Sequence, residues 1–121
     1  MDDIENRLME KVDSIADDLR SLAIRIHDNP ELSLEEYEAC RLHTEMLIEH
    51  GFDVEIGVAG YDTSFIASHK SEKDGPVVAF LAEYDALPGL GHGCGHNLVG
   101  TIATGSAISV MDVIDRFGGE V

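Results

Sequence analysis

The chain has 121 residues, 44% of them apolar, with two cysteines and a formal net charge of −16. That suffices for one modest domain with a small core, and the acidity, offset by only eight Lys and Arg, argues against nucleic acid and anionic membranes as partners. No stretch approaches the roughly 20 apolar residues of a membrane span, and Met1-Asp2-Asp3-Ile4-Glu5 is acidic where a secretory signal is basic, so the expected compartment is the cytoplasm.

Ile4, Leu8, Val12, Ile15, Leu19, Leu22 and Ile26 recur every three or four residues, which predicts one amphipathic helix ending near Asn29-Pro30. Asp13, Asp17 and Asp18 form its solvent face. Ser33-Leu34-Glu35-Glu36 has the form of a capping box opening a second helix that runs to about His50 and stops at Gly51. Its expected inner face holds Tyr37, Cys40, Thr44, Leu47 and Ile48, with Cys40 acting as a small apolar group, while His43, His50 and the later His69 are read as surface residues.

Two short strands are expected at Phe52 to Ile56 and Thr63 to Ser68, joined by a turn from Gly57 to Asp62. Pro76 to Ala82 is a continuous apolar run, which predicts a strand buried on both faces. A glycine-rich segment from Pro88 to Gly95 leads into a third helix from Leu98 to about Phe117, with Asn97 as its N-cap and Gly118-Gly119 as its exit. The pattern is the opening of an α/β layer: two N-terminal helices, a mostly buried sheet and a crossover helix.

In an α/β sheet, ligands collect beyond the carboxyl ends of the strands, where Asp85, His92, Cys94 and His96 fall. Cys94 and His96 are separated by one glycine, so a thiolate and an imidazole can converge on zinc or another borderline divalent ion. The spacing alone fits equally a plain glycine turn or anion nest before a helix. Glu83, at a strand end, is read as solvated, and Cys40 and Cys94 as unbridged.

The string Leu81-Ala82-Glu83-Tyr84-Asp85-Ala86-Leu87-Pro88-Gly89-Leu90-Gly91-His92-Gly93-Cys94-Gly95-His96-Asn97 resembles the signature of the dinuclear metallopeptidase family of aminoacylases, amino-acid-conjugate amidohydrolases and glutamate carboxypeptidases. In detail it is most similar to the p-aminobenzoyl-glutamate hydrolase subgroup, and His27 to Ser33 with Glu36 resembles the family's entry to its second helix. The resemblance implies a partial three-layer α/β/α catalytic domain, with residues 1–121 as its amino-terminal portion and the rest of that domain and a dimerisation or lid domain lying outside them. It implies Cys94 and His96 as metal ligands and Asp85 as the residue that orients a ligand and the ion-bound water. His92 belongs to the motif without being a ligand, and Asn97 stands where many relatives have aspartate.

The implied chemistry is hydrolysis of the amide bond of N-acyl or N-aryl amino acids or dipeptide-like substrates by a metal-activated water. Two divalent ions are implied, zinc first, with manganese or cobalt as alternatives, and so is a homo-oligomer for the full-length protein. The general base is not identified, because the family's Glu-Glu pair lies further on and Glu120 stands too early to match it. The isolated chain is therefore expected to be inactive. Two other readings are a non-catalytic binding or assembly module with residual metal affinity, and a cysteine enzyme pairing Cys94 with His92 or His96, for which no orienting third group is evident.

Overall fold

The computed structural model describes residues 2–121. Asp2 opens helix α1 (Asp3–Ser14) with a reciprocal capping box: its carboxylate accepts from the Glu5 amide at 2.8 Å, and the Glu5 carboxylate accepts from the Asp2 amide at 3.3 Å. The single long helix expected from Ile4 to Ile26 is two. The Ser14 hydroxyl donates back to the Lys11 carbonyl at 2.6 Å, Ile15 leaves helical geometry at φ −110° and ψ 9°, and α2 (Ala16–Asp28) starts on a new line. Ile15 is 5% exposed, so the break carries it into the core while α1 stays peripheral. The far end of the chain ties α1 down through Arg7 to Asp112 at 3.1 Å and Arg116 to Asp3 at 2.7 Å.

α2 ends at Asp28, before Asn29-Pro30 as expected, and buries Leu22, Ala23 and Ile26. The capping box expected at Ser33–Glu36 does not form. Helix α3 (Tyr37–Glu49) is capped instead by Glu31, whose two carboxylate oxygens accept from the amides of Glu38 at 2.9 Å and Ala39 at 2.8 Å. Two otherwise unpaired N–H groups are satisfied at once, and a negative charge sits at the positive end of the helix dipole. Glu36 accepts from the Thr63 hydroxyl at 3.2 Å.

The buried stripe of α3 is Ala39, Cys40, Leu42, His43, Thr44, Met46 and Leu47, so Tyr37 and Ile48 are exposed, contrary to expectation. His43, expected at the surface, has no exposed area at all. Gly51, at φ 94°, closes α3 in a Schellman motif, with Phe52 N–H bonding to Leu47 O and Gly51 N–H to Ile48 O, both at 3.0 Å. Strands β1 (Asp53–Ile56) and β2 (Phe65–Ser68) then pair antiparallel in the register Asp53↔Ser68 to Ile56↔Phe65.

The apolar run Pro76 to Ala82 is not buried on both faces. It is extended backbone, bridged through Val77 to Glu120 alone, with Val77 74% and Leu81 87% exposed. A central strand needs a neighbour on each edge and cover on each face, and among the described residues only Glu120 and Val121 lie alongside, returning to His69 through a 2.8 Å bond.

The last long helix, α4 (His96–Met111), begins two residues before the expected Leu98 and is succeeded by a 3-10 turn, Ile114–Arg116. Its N-cap is Gly95, in the left-handed region at φ 80°, and not Asn97. Asn97 is buried in the first turn, its amide donating to the Ala23 carbonyl of α2 at 3.3 Å. The small residues of α4 permit close approach: a Cβ on Gly105 would stand 3.0 Å from Leu19, and one on Gly100 would stand 2.8 Å from the Glu83 carbonyl. The described residues form an α/β domain of four α-helices and one two-stranded antiparallel sheet, with Ile15, Ile26, Leu47, Phe52, Tyr84 and Ile108 in its core. No helix among the described residues is long and apolar enough to cross a membrane.

Candidate functional site

The segment Glu83-Tyr84-Asp85 is built by alternation. Along extended chain successive side chains point to opposite faces, and Tyr84 is the one drawn inward: it is 6% exposed, stacks on His43 at 5.4 Å and Phe65 at 6.2 Å, and donates its hydroxyl to the Thr63 carbonyl. Glu83 and Asp85 therefore share the opposite face. The backbone is then pinned by Ala86 N–H to Glu31 O at 2.7 Å, within a parallel bridge between Leu32 and Ala86.

Beyond Ala86 the chain doubles back, with Leu87 and Gly91 exchanging backbone bonds of 2.9 and 3.1 Å, and reaches α4 through Gly95. That path sets the His96 ring between the two carboxylates. Asp85 Oδ1 is 2.6 Å from Nδ1, and Glu83 Oε2 is 3.0 Å from Nε2. His96 is partly buried and Glu83 largely open to solvent.

His92 is engaged elsewhere. Its Nδ1 accepts from the Asn97 amide at 3.3 Å, helping to close the N-terminus of α4, and its ring lies 6.4 Å from that of His27. Burial, with His27 beside it, holds His92 below the usual imidazole range, and its Nε2 is buried without a partner. Cys94 is exposed and free. Of the residues singled out in the sequence, the structure brings Asp85 and His96 together, sets His92 and Asn97 into the packing beneath α4, and leaves Cys94 at the surface.

Glu83 and His43 are the two residues whose place the sequence alone did not disclose. Glu83 touches His96, and its position two before Asp85 was the available signal. His43 lies under the segment, its Nδ1 2.8 Å from Thr104 Oγ1, and its signal was the spacing of three from Cys40 and four from Leu47 on the apolar stripe.

The donor chemistry fits part of a metal site. With Nδ1 held by Asp85, His96 offers Nε2 outward, which is how a carboxylate sets the tautomer and basicity of a liganding imidazole; an accessible thiol stands two residues away. Among the described residues, no group of three or more His, Cys, Asp and Glu is gathered closely enough to hold an ion by itself.

No family model matches the chain. It is 38% identical over 114 residues to one of the subunits of p-aminobenzoyl-glutamate hydrolase from Escherichia coli strain K12, covering 80% of this chain and 23% of that protein. It is 32% identical over 133 aligned positions to thermostable carboxypeptidase 2 of Saccharolobus solfataricus, covering 98% and 34%. It is 34% identical over 125 positions to Xaa-Arg dipeptidase of Mus musculus, covering 93% and 28%. Over the stretch they share, the chain belongs to the amidohydrolase/peptidase family of these relatives. It spans about a quarter to a third of the length of the curated relatives it matches.

Proposed function

We propose that the chain supplies half of the metal site of a metal-dependent amidohydrolase or peptidase, as the amino-terminal portion of its catalytic domain. The observation that carries this reading is the Asp85–His96 pair at 2.6 Å, next to Cys94, in a chain related along most of its length to hydrolases. In this reading Cys94 and His96 are the protein donors, Asp85 orients the imidazole, and His92 and Asn97 shape the loop. The general base and the remaining donors come from residues other than these. A thiolate with an imidazole suits zinc, with manganese or cobalt as alternatives, and the full-length enzyme holds two ions and works as a homo-oligomer.

A divalent ion, when bound, polarises the amide carbonyl and activates a water. The chain's own part is to keep the ring of His96 fixed and its Nε2 turned outward, so that no reorganisation is needed at the moment of reaction. The names of the relatives suggest the substrates to try: p-aminobenzoyl-glutamate, dipeptides ending in arginine and carboxyl-terminal peptide bonds. The 121-residue chain alone does not turn over, because two donors without a base do not make the site.

The test is hydrolysis of that panel by the full-length protein, before and after exhaustive chelation, beside the 121-residue chain. Loss of turnover on chelation and its return with zinc are expected, with none from the shorter chain. Turnover that survives chelation defeats the metal reading, and turnover from the 121 residues defeats the half-site. A full-length protein that binds zinc and cleaves nothing would favour a second reading, a non-catalytic binding or assembly module with residual metal affinity.

A further inference from the structure

Glu120 and Val121 lie between two extended segments and bond to both. On one side Val121 exchanges bonds with His69, its carbonyl accepting at 2.8 Å and its N–H donating at 3.0 Å, and the Gly119 carbonyl accepts from Ser71 N–H at 2.9 Å. On the other side Glu120 N–H donates to the Pro76 carbonyl at 3.0 Å and the Glu120 carbonyl accepts from Val78 N–H at 2.9 Å. The pairing is antiparallel to the chain leading out of β2 and parallel to the apolar run. A strand thus begins here with a neighbour on each edge.

Past Val121 the two neighbours run on with a groove between them. β2 forms one wall and the run from Val77 to Ala82 the other, and Leu47, Phe52, Ala103 and Ala107 line it as well. Backbone groups alternate in direction along extended chain. Ala67 and Phe65 therefore aim N–H and C=O to the side on which His69 meets Val121, and Phe80 aims its own to the side on which Val78 meets Glu120. Backbone partners on both edges and an apolar lining are the surroundings that a central strand requires.

We propose that this groove receives one β-strand, formed by the polypeptide that continues from Val121 in the full-length protein, antiparallel to β2 and parallel to the run. The inference rests on the chain being the amino-terminal portion of a longer protein and needs nothing from the metal site. Continuity selects this occupant over a second copy or a separate partner: the mouth of the groove is already filled by Glu120 and Val121, and the next residues of the same strand meet their bonding partners in register. The second residue past Val121 pairs with Ala67 and the fourth with Phe65. Both share the face of Val121, which is 8% exposed in the core cluster of Leu47 and Phe52, so both are apolar. The strand also gives Phe80 and Ala82 the edge partner that Pro76 and Val78 have in Glu120.

Two measurements on the full-length protein test this. In amide hydrogen exchange read residue by residue, Phe65, Ala67 and Phe80 are expected to exchange about 100-fold or more slowly than Glu72 in the neighbouring loop. A photo-reactive benzoylphenylalanine in place of Ile66, which is 58% exposed, is expected to capture the segment directly after Val121 within the same chain. Exchange at Phe65, Ala67 and Phe80 as fast as at Glu72, or capture of another segment or of a second copy, overturns the inference. Neither readout involves an ion or turnover, so such a result leaves the hydrolase reading to its own test. An intact mass from the native source that ends at Val121 would defeat both the amino-terminal reading and the strand.

Discussion

Asp85 and His96 meet across eleven residues of sequence, the carboxylate of one 2.6 Å from Nδ1 of the other. The contact fixes which nitrogen of the imidazole is turned outward. Replacing Asp85 by Ala should weaken zinc binding by about 10- to 100-fold, and by Asn less, since the amide oxygen still accepts from the ring. Calorimetric titration of the two variants reads this directly, and an Ala variant that binds as wild type would show that the pair has no part in holding the ion.

His43 predicts a pH effect on stability. It is fully buried, and burial pulls its pKa down to about 4, against about 6.5 for the unfolded chain. Between those values the unfolded chain binds more protons than the folded one, so the stability due to a neutral His43 is complete above about pH 6.5 and is lost as pH falls to about 4. The full difference is of the order of 3 kcal/mol. Urea melts at pH 7 and at pH 4.5 should separate, and His43→Gln should narrow that separation; an equal separation in the variant would remove His43 as its source.

Glu31 is the cap of α3, and Ser33 is not. Glu31→Ala leaves the amides of Glu38 and Ala39 without their acceptor and should cost about 1 to 3 kcal/mol in denaturant melts. Ser33→Ala should change little. The reverse order of effects would restore the capping box expected from sequence.

Asn97 gives up an N–H that aspartate lacks. In Asn97→Asp a carboxylate would face the Ala23 carbonyl inside the protein, at a cost of about 1 to 3 kcal/mol. Thermal melting at neutral pH checks this, with Asn97→Ala for comparison. An aspartate variant as stable as wild type would mean that the side chain finds another orientation.

The legible parts of the sequence were those set by local chemistry. Pro30 stopped α2, Gly51 closed α3, and the apolar spacing found the buried face of α2, whereas on α3 it took in the exposed Tyr37 and Ile48 and passed over His43. What remained hidden depended on distant partners. Near Ile15 only Ser14, whose hydroxyl turns back onto the Lys11 carbonyl, hints at a break, and a lone serine inside an apolar repeat does not disclose that Ile15 is buried while α1 is tied to Asp112 and Arg116 at the other end of the chain. Glu31 outcompetes Ser33 as a cap through a bend that places its carboxylate over two amides. The run from Val77 to Leu81 has the composition of an interior strand, yet burial is supplied by neighbours and not by the run itself. At the site, Asp85 and His96 were readable from the motif, whereas the part of Glu83 depends on which way Tyr84 points.

The alternation at Glu83, Tyr84 and Asp85 also acts as a gauge. Residues two apart on extended chain are separated by roughly 6.6 Å, a span across which two carboxylates can grip the opposite nitrogens of one imidazole. Insertion or deletion of a single residue here would exchange the faces, sending a carboxylate into the packing between His43 and Phe65 and a phenol out to His96. The segment can therefore tolerate changes of side chain far more readily than changes of length, and its reading frame is as much a part of the site as its charges.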